Sequence, residues 1–150
     1  MKKIGYRMQE EGVSRFLGSL ETLIMELMWD SGDWLNVQQL RESLKSEHDY
    51  SVTTIMTVLN RLSEKGLLVK MASGRGRNKL AQFKVVTTRE DFILEQTRNV
   101  TEGLIKDFGE VVVAHMIDVM EEIDPHLLKK VEHMLQEAKM RNSDEENKSS

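Results

Sequence analysis

Between Val52 and Glu64 the chain reads Val-Thr-Thr-Ile-Met-Thr-Val-Leu-Asn-Arg-Leu-Ser-Glu. Wound at about 100° per residue, that stretch separates two chemistries. Val52, Ile55, Leu59 and Leu62 fall on one face, with Met56 and Val58 at its margins, while Thr53, Thr54, Thr57, Asn60, Arg61 and Glu64 fall on the other. Threonine and asparagine carry short hydrogen-bonding groups, and a threonine methyl can touch the methyl of thymine. Arginine can contact guanine or a phosphate. The bland alternative is a helix solvated on its polar side. Three threonines in an exposed helix sacrifice helix propensity, however, which favours a surface selected for recognition. A second basic group follows. Arg75 and Arg77 sit in the glycine-flanked stretch Ser73-Gly74-Arg75-Gly76-Arg77-Asn78, with Lys70, Lys79 and Lys84 close by. Its bare backbone could come near a phosphate chain, the alternative being a turn made basic for solubility.

Catalytic chemistry is poorly represented. His48, His115, His126 and His133 are scattered, and no two of them form the i, i+4 histidine pair with a nearby carboxylate that would suggest a zinc enzyme. No glycine-rich phosphate loop and no G-x-S-x-G motif occur, since Gly74-Arg75-Gly76 precedes no helix. The chain has no cysteine, which excludes a disulfide framework, a thiol nucleophile and thiolate metal sites. The expectation is therefore a non-enzyme without cofactor or metal. A metal-dependent enzyme or sensor using the histidines is the poorer alternative.

The elements that must position these residues are legible upstream and downstream. Residues 1–16 mix charges with Gly5 and Gly12 and predict a flexible N-terminal arm. Ser19 can cap a helix whose Leu20, Leu23, Ile24, Leu27 and Met28 make one apolar stripe. After the turn Asp30-Ser31-Gly32-Asp33, flanked by Trp29 and Trp34, Asn36 can cap a second helix with Val37, Leu40 and Leu44 inward. Ser51 can cap the third, which ends at Gly66, a residue that tolerates a left-handed backbone. Leu67 to Lys70 and Leu80 to Val86 then read as the two strands of a hairpin wing. Three helices and a basic hairpin make a winged helix-turn-helix, in which the third helix enters the major groove.

Beyond the hairpin, Thr88 with Asp91 resembles a capping box and opens a fourth helix carrying Phe92, Gln96, Val100 and Leu104. Gly109 breaks it, a fifth helix covers about residues 110–122, and Asp124-Pro125 starts a sixth with Leu128, Val131, Leu135 and Ala138 as its stripe. The sequence thus predicts a mainly α chain: a winged helix over 17–88, a three-helix region over 89–141 and a disordered tail over 142–150. Phe92, Val100, Leu104, Leu128, Val131 and Leu135 are the candidates for a homodimer interface, because a single recognition helix gives too few contacts for a useful specificity ratio.

Charge divides along the same line. Residues 1–90 carry 14 Lys and Arg against 11 Asp and Glu, whereas residues 91–150 carry 7 against 14, so an overall charge of −4 conceals a basic N-terminal part. That asymmetry suits a nucleic-acid-binding half joined to an acidic half with another task. The longest apolar run, Val111 to Ala114, is far short of the roughly 20 residues of a membrane span. The basic start Met1-Lys2-Lys3 has no apolar stretch behind it, so a cytoplasmic protein without membrane contact is expected.

Four segments together, Leu17-Gly18-Ser19-Leu20-Glu21, Met25 to Trp29, Thr54 to Leu62, and Glu64-Lys65-Gly66-Leu67-Leu68, resemble the penicillinase-repressor family. That family includes beta-lactamase, methicillin-resistance and copper-transport repressors. The resemblance implies a homodimeric repressor that blocks transcription at a dyad operator of double-stranded DNA, controlling a resistance or stress-response operon. It implies that Thr54, Thr57 and Arg61 face DNA and that Arg75 or Arg77 belongs to the basic wing. The copper-responsive members use C-terminal cysteines, which this chain lacks. The antibiotic-responsive members are cleaved at an Asn-Phe bond, and Val111 to Met116 contains no such pair. The wing reads Phe83-Lys84-Val85 where the family usually has an aromatic residue followed by proline. The inducer, or inducing protease, is left open. The runner-up reading is a winged helix used as a protein-interaction module, which would need neither Arg61 nor a basic wing.

Overall fold

A computed structural model describes residues 4–73 and 80–149, and the chain divides into two compact units, Met1–Val100 and Thr101–Ser150. In the first, a 3-10 turn at Gly12–Arg15 leads to α1 (Ser19–Ser31), β1 (Leu35–Asn36), α2 (Val37–Leu44), α3 (Val52–Glu64), β2 (Leu68–Ser73), β3 (Leu80–Val85) and the start of α4 (Arg89–Ile123). The second holds the remainder of α4 and α5 (His126–Lys148). The mainly helical winged helix-turn-helix architecture expected from the sequence is what the chain forms.

Local chemistry explains each boundary. Helix α1 is capped by Gly18 rather than Ser19, because the Glu21 carboxylate accepts the free Gly18 N–H at 3.0 Å. It stops at Gly32, whose φ of 65° lets its N–H return to the Met28 carbonyl at 2.9 Å. At α2 the cap is reciprocal: Asn36 Oδ1 accepts from the Gln39 N–H at 2.9 Å, and Gln39 Oε1 accepts from the Asn36 N–H at 2.8 Å. Ser51 caps α3, its hydroxyl accepting the Thr54 N–H at 3.1 Å. Gly66, at φ 82°, ends that helix and turns the chain so that the Leu67 N–H reaches the Leu62 carbonyl.

The strands form one antiparallel sheet in the order β1-β3-β2. Phe83 sits at its centre, opposite Leu35 on one side and Lys70 on the other, and is fully buried. The two-residue strand β1 went unread in the sequence because a pair of residues shows no alternation. Against the sheet pack Ile24, Met25 and Met28 of α1, Leu40 and Leu44 of α2, and Ile55, Leu59 and Leu62 of α3. Val58 is buried while Val52 is only half-buried, so the inward face of α3 is rotated slightly from its predicted centre.

Three further expectations need correction. Residues 12–16 are not a flexible arm: Val13 and Phe16 enter the core, and the Arg7 N–H bonds to the Arg15 carbonyl at 2.6 Å. The tail predicted from residue 142 onward is helical through Lys148, since Glu145, Glu146 and Lys148 extend an existing helix and need no new nucleus. Phe92 belongs to the core of the first unit, with its ring 6.2 Å from Phe16 and 5.4 Å from Trp29, and is fully buried. It cannot form part of a surface offered to a second copy.

In the second unit the backbone of α4 leaves helical geometry at Gly109 (φ 10°, ψ −90°), where the sequence placed a break. Asp124 Oδ1 accepts the His126 N–H at 3.1 Å and begins α5. No residue of α5 is buried.

Candidate nucleic-acid interface

The outward side of α3 carries Thr53, Thr54, Thr57 and Arg61, all exposed, and Asn60, half-buried. Most of their polar atoms are already oriented. Thr57 donates its hydroxyl proton to the Thr53 carbonyl at 2.9 Å, so outward it presents lone pairs and a methyl. It can accept from the amino group of adenine or cytosine, or touch a thymine methyl. The Thr54 hydroxyl lies 2.8 Å from Ser51 Oγ, in the cap of the helix. Asn60 Oδ1 accepts from Lys70 Nζ at 3.2 Å across to β2, which leaves the Asn60 amide N–H groups as its outward-facing donors. The Arg61 guanidinium has no hydrogen bond or ion pair with any described residue.

Of the wing cations, Lys70 also lies 5.7 Å from the Phe83 ring centroid, and Lys84 lies 6.0 Å from that of Trp34. Arg75, Arg77 and Lys79 lie outside the described residues. The arrangement therefore joins an orderly polar helix face to a strand pair that carries positive charge beside it.

One buried ion pair escaped sequence reasoning. Glu21 lies within the apolar stripe of α1 and is only 6% exposed. Its Oε2 accepts from Lys65 Nζ at 2.6 Å, and Lys65 is the C-cap of α3. Burial raises the pKa of this carboxyl, but the Lys65 hydrogen bond, the Gly18 N–H and the charges of Lys65 and Arg61 outweigh it and hold the group below the usual carboxylate range. The available signal was a carboxylate at helical spacing between Leu17 and Ile24, a place where an acid needs a partner.

A family model described as the penicillinase repressor matches residues 17–137. This chain belongs to the penicillinase repressor family. Over 59 residues it is 37% identical to the transcriptional regulator BlaI of Mycobacterium tuberculosis, in both strain CDC 1551 and strain H37Rv. That stretch is 39% of this chain and spans 43% of the length of those relatives. Among solved structures, it resembles a PadR-like transcription factor from Bacteroides fragilis, with TM-score 0.45 and 21% identity over 66% of this chain and 90% of the other. It also resembles the reduced form of MarR from E. coli, with TM-score 0.40 and 16% identity over 73% and 79% of the two chains. The penicillinase repressor family is one of transcriptional regulators and not of catalysts. No helix among the described residues is long and apolar enough to cross a membrane.

The remaining candidates divide between the units. Val100 is half-buried and packs against the core of the first. In the second, Leu104 and Leu135 are exposed, and Leu128 and Val131 half-buried. Phe108, Val111, Ile117 and Ile123, which were not singled out from the sequence, expose apolar side chains there as well.

Proposed function

We propose that the protein is a cytoplasmic, sequence-specific repressor that binds a dyad operator as a homodimer. The observation that carries this reading is the exposed face of α3, with Thr53, Thr54, Thr57 and Arg61 turned outward in a chain of this family. In the proposed complex α3 lies in the major groove. Thr57 accepts from a base amino group, Asn60 donates through its amide, and Arg61 takes guanine or phosphate. Arg75 and Arg77 contact phosphates, with Lys70 and Lys84 adding to the field.

Self-association through the second unit supports the dyad. In that unit Leu104, Phe108, Val111, Ile117 and Leu135 are exposed and Leu128 and Val131 half-buried, apolar surface that a second copy would cover. Two chains would present two copies of α3 about one DNA turn apart, roughly 34 Å, and the occupied promoter excludes polymerase. Selection of bound duplexes from the source genome, followed by footprinting, tests this. The expected result is a two-fold symmetric protected site occupied by two chains. An asymmetric footprint from one chain, or no enrichment of any sequence, contradicts it.

A further inference from the structure

At the C-terminal end of α3 two cations compete for one carboxylate. Both Glu21 oxygens are engaged, Oε1 by the Gly18 N–H at 3.0 Å and Oε2 by Lys65 Nζ at 2.6 Å. Arg61 precedes Lys65 by four residues on α3, and its carbonyl accepts the Lys65 N–H. Side chains at that spacing leave a helix on the same side. The charge of Arg61 is already felt at Glu21. Its guanidinium, exposed, has no partner among the described residues. A guanidinium fork is the better match for a carboxylate, since it can bond to both oxygens at once. Opposing this is the Lys65 ammonium, which already holds Oε2 and balances the carboxylate charge.

We propose that Lys65 is a positioning residue that neutralises Glu21 and thereby keeps the Arg61 guanidinium available to DNA. This rests on the reading of α3 as the DNA-facing helix. Without Lys65, Arg61 turns back onto Glu21, and its contribution to binding disappears although Arg61 itself is intact.

The test uses the full chain and a duplex recovered by selection from a random-sequence pool, with a thermal melt on every variant. Arg61→Ala alone should weaken binding by roughly 10- to 100-fold, the worth of one good base interaction. Lys65→Met should weaken it about as much, and adding Arg61→Ala to it should cost less than about 2-fold more. Adding Glu21→Gln to Lys65→Met removes the carboxylate that captures Arg61, and binding should return to within about 3-fold of the unsubstituted chain. Lys65→Arg should bind normally. If Lys65→Met loses its cooperative melt, Lys65→Gln, which keeps a donor but no charge, carries the same comparison.

A merely structural pair would behave otherwise. Losses from Lys65→Met and Arg61→Ala that multiply, a Lys65→Met chain that binds normally, or a Glu21→Gln, Lys65→Met chain that stays weak would each overturn the proposal. An unsubstituted chain that enriches no duplex overturns the reading of α3 as well. Binding by that chain with multiplying losses overturns only the role of Lys65.

Discussion

At Glu21 a charge is held inside an apolar stripe, and its consequence for stability has a definite sign. The folded pKa lies below the ordinary value of a glutamate carboxyl. The pair therefore stabilises the fold fully above that value, and the contribution is lost as pH falls through the folded pKa. Glu21→Gln should lower stability at neutral pH by about 2 kcal/mol, less than the ~3–5 kcal/mol of a fully buried pair, because the Lys65 side chain remains 28% exposed. The difference between the two proteins should shrink in acid. Denaturant melts at neutral and acid pH check this, and a gap that stays constant would count against it. Thr57 carries a separate prediction. Thr57→Val preserves shape and methyl but removes the outward lone pairs, so operator binding should fall by about 1–3 kcal/mol while binding to random DNA changes little. Competition titrations read the two affinities, and equal losses on both duplexes would argue against base contact.

The elements were legible to different degrees, for physical reasons. Caps at Asn36, Ser51 and Thr88 were readable because a side-chain oxygen placed three residues before a free N–H is a local signal. The cap at Gly18 was not, since the group that satisfies it comes from Glu21 inside the helix. The face of α3 followed from its period, and so did its polar candidates. Phe92 falls on the core rather than on an interface, because periodicity tells which side of a helix is apolar but not whether the same chain or another covers it. The Lys65 pair joins residues 44 apart in sequence, a distance no window reading spans. The wing gives its own prediction. Arg75→Ala with Arg77→Ala should weaken binding to all duplexes alike and reduce the log-log salt slope by about 0.9 for each phosphate no longer neutralised. An unchanged slope would remove the arginines from the interface.

For the whole molecule, the position of Phe92 decides where the chain can be divided. A fragment of residues 1–100 keeps Phe92 and Val100 and should fold as a monomer, whereas a fragment ending at residue 88 lacks the ring that packs on Phe16 and Trp29. The shorter fragment should be less stable by at least about 3–5 kcal/mol, the usual cost of emptying a phenylalanine site. The longer one should bind a full dyad about 10² to 10⁴ times more weakly than the intact chain, having no linked second half-site to engage. Sedimentation and titration against half-site and full-site duplexes measure both. Equal affinity of the two proteins for the full site would place dimerisation outside the second unit.

The chain has two tryptophans, and they report on different events. Trp29 donates its indole N–H to the Thr87 carbonyl at 3.1 Å and packs tilted against Phe92, so its emission follows the docking of the start of α4 onto the core. Trp34 lies under the Lys84 ammonium, within reach of whatever engages that cation. With Trp29→Phe leaving Trp34 as the sole indole, ultraviolet-excited emission becomes a label-free optical readout at the sheet. With Trp34→Phe, the remaining signal is an internal gauge of unfolding, and the same molecule supplies both spectroscopic channels without an attached dye.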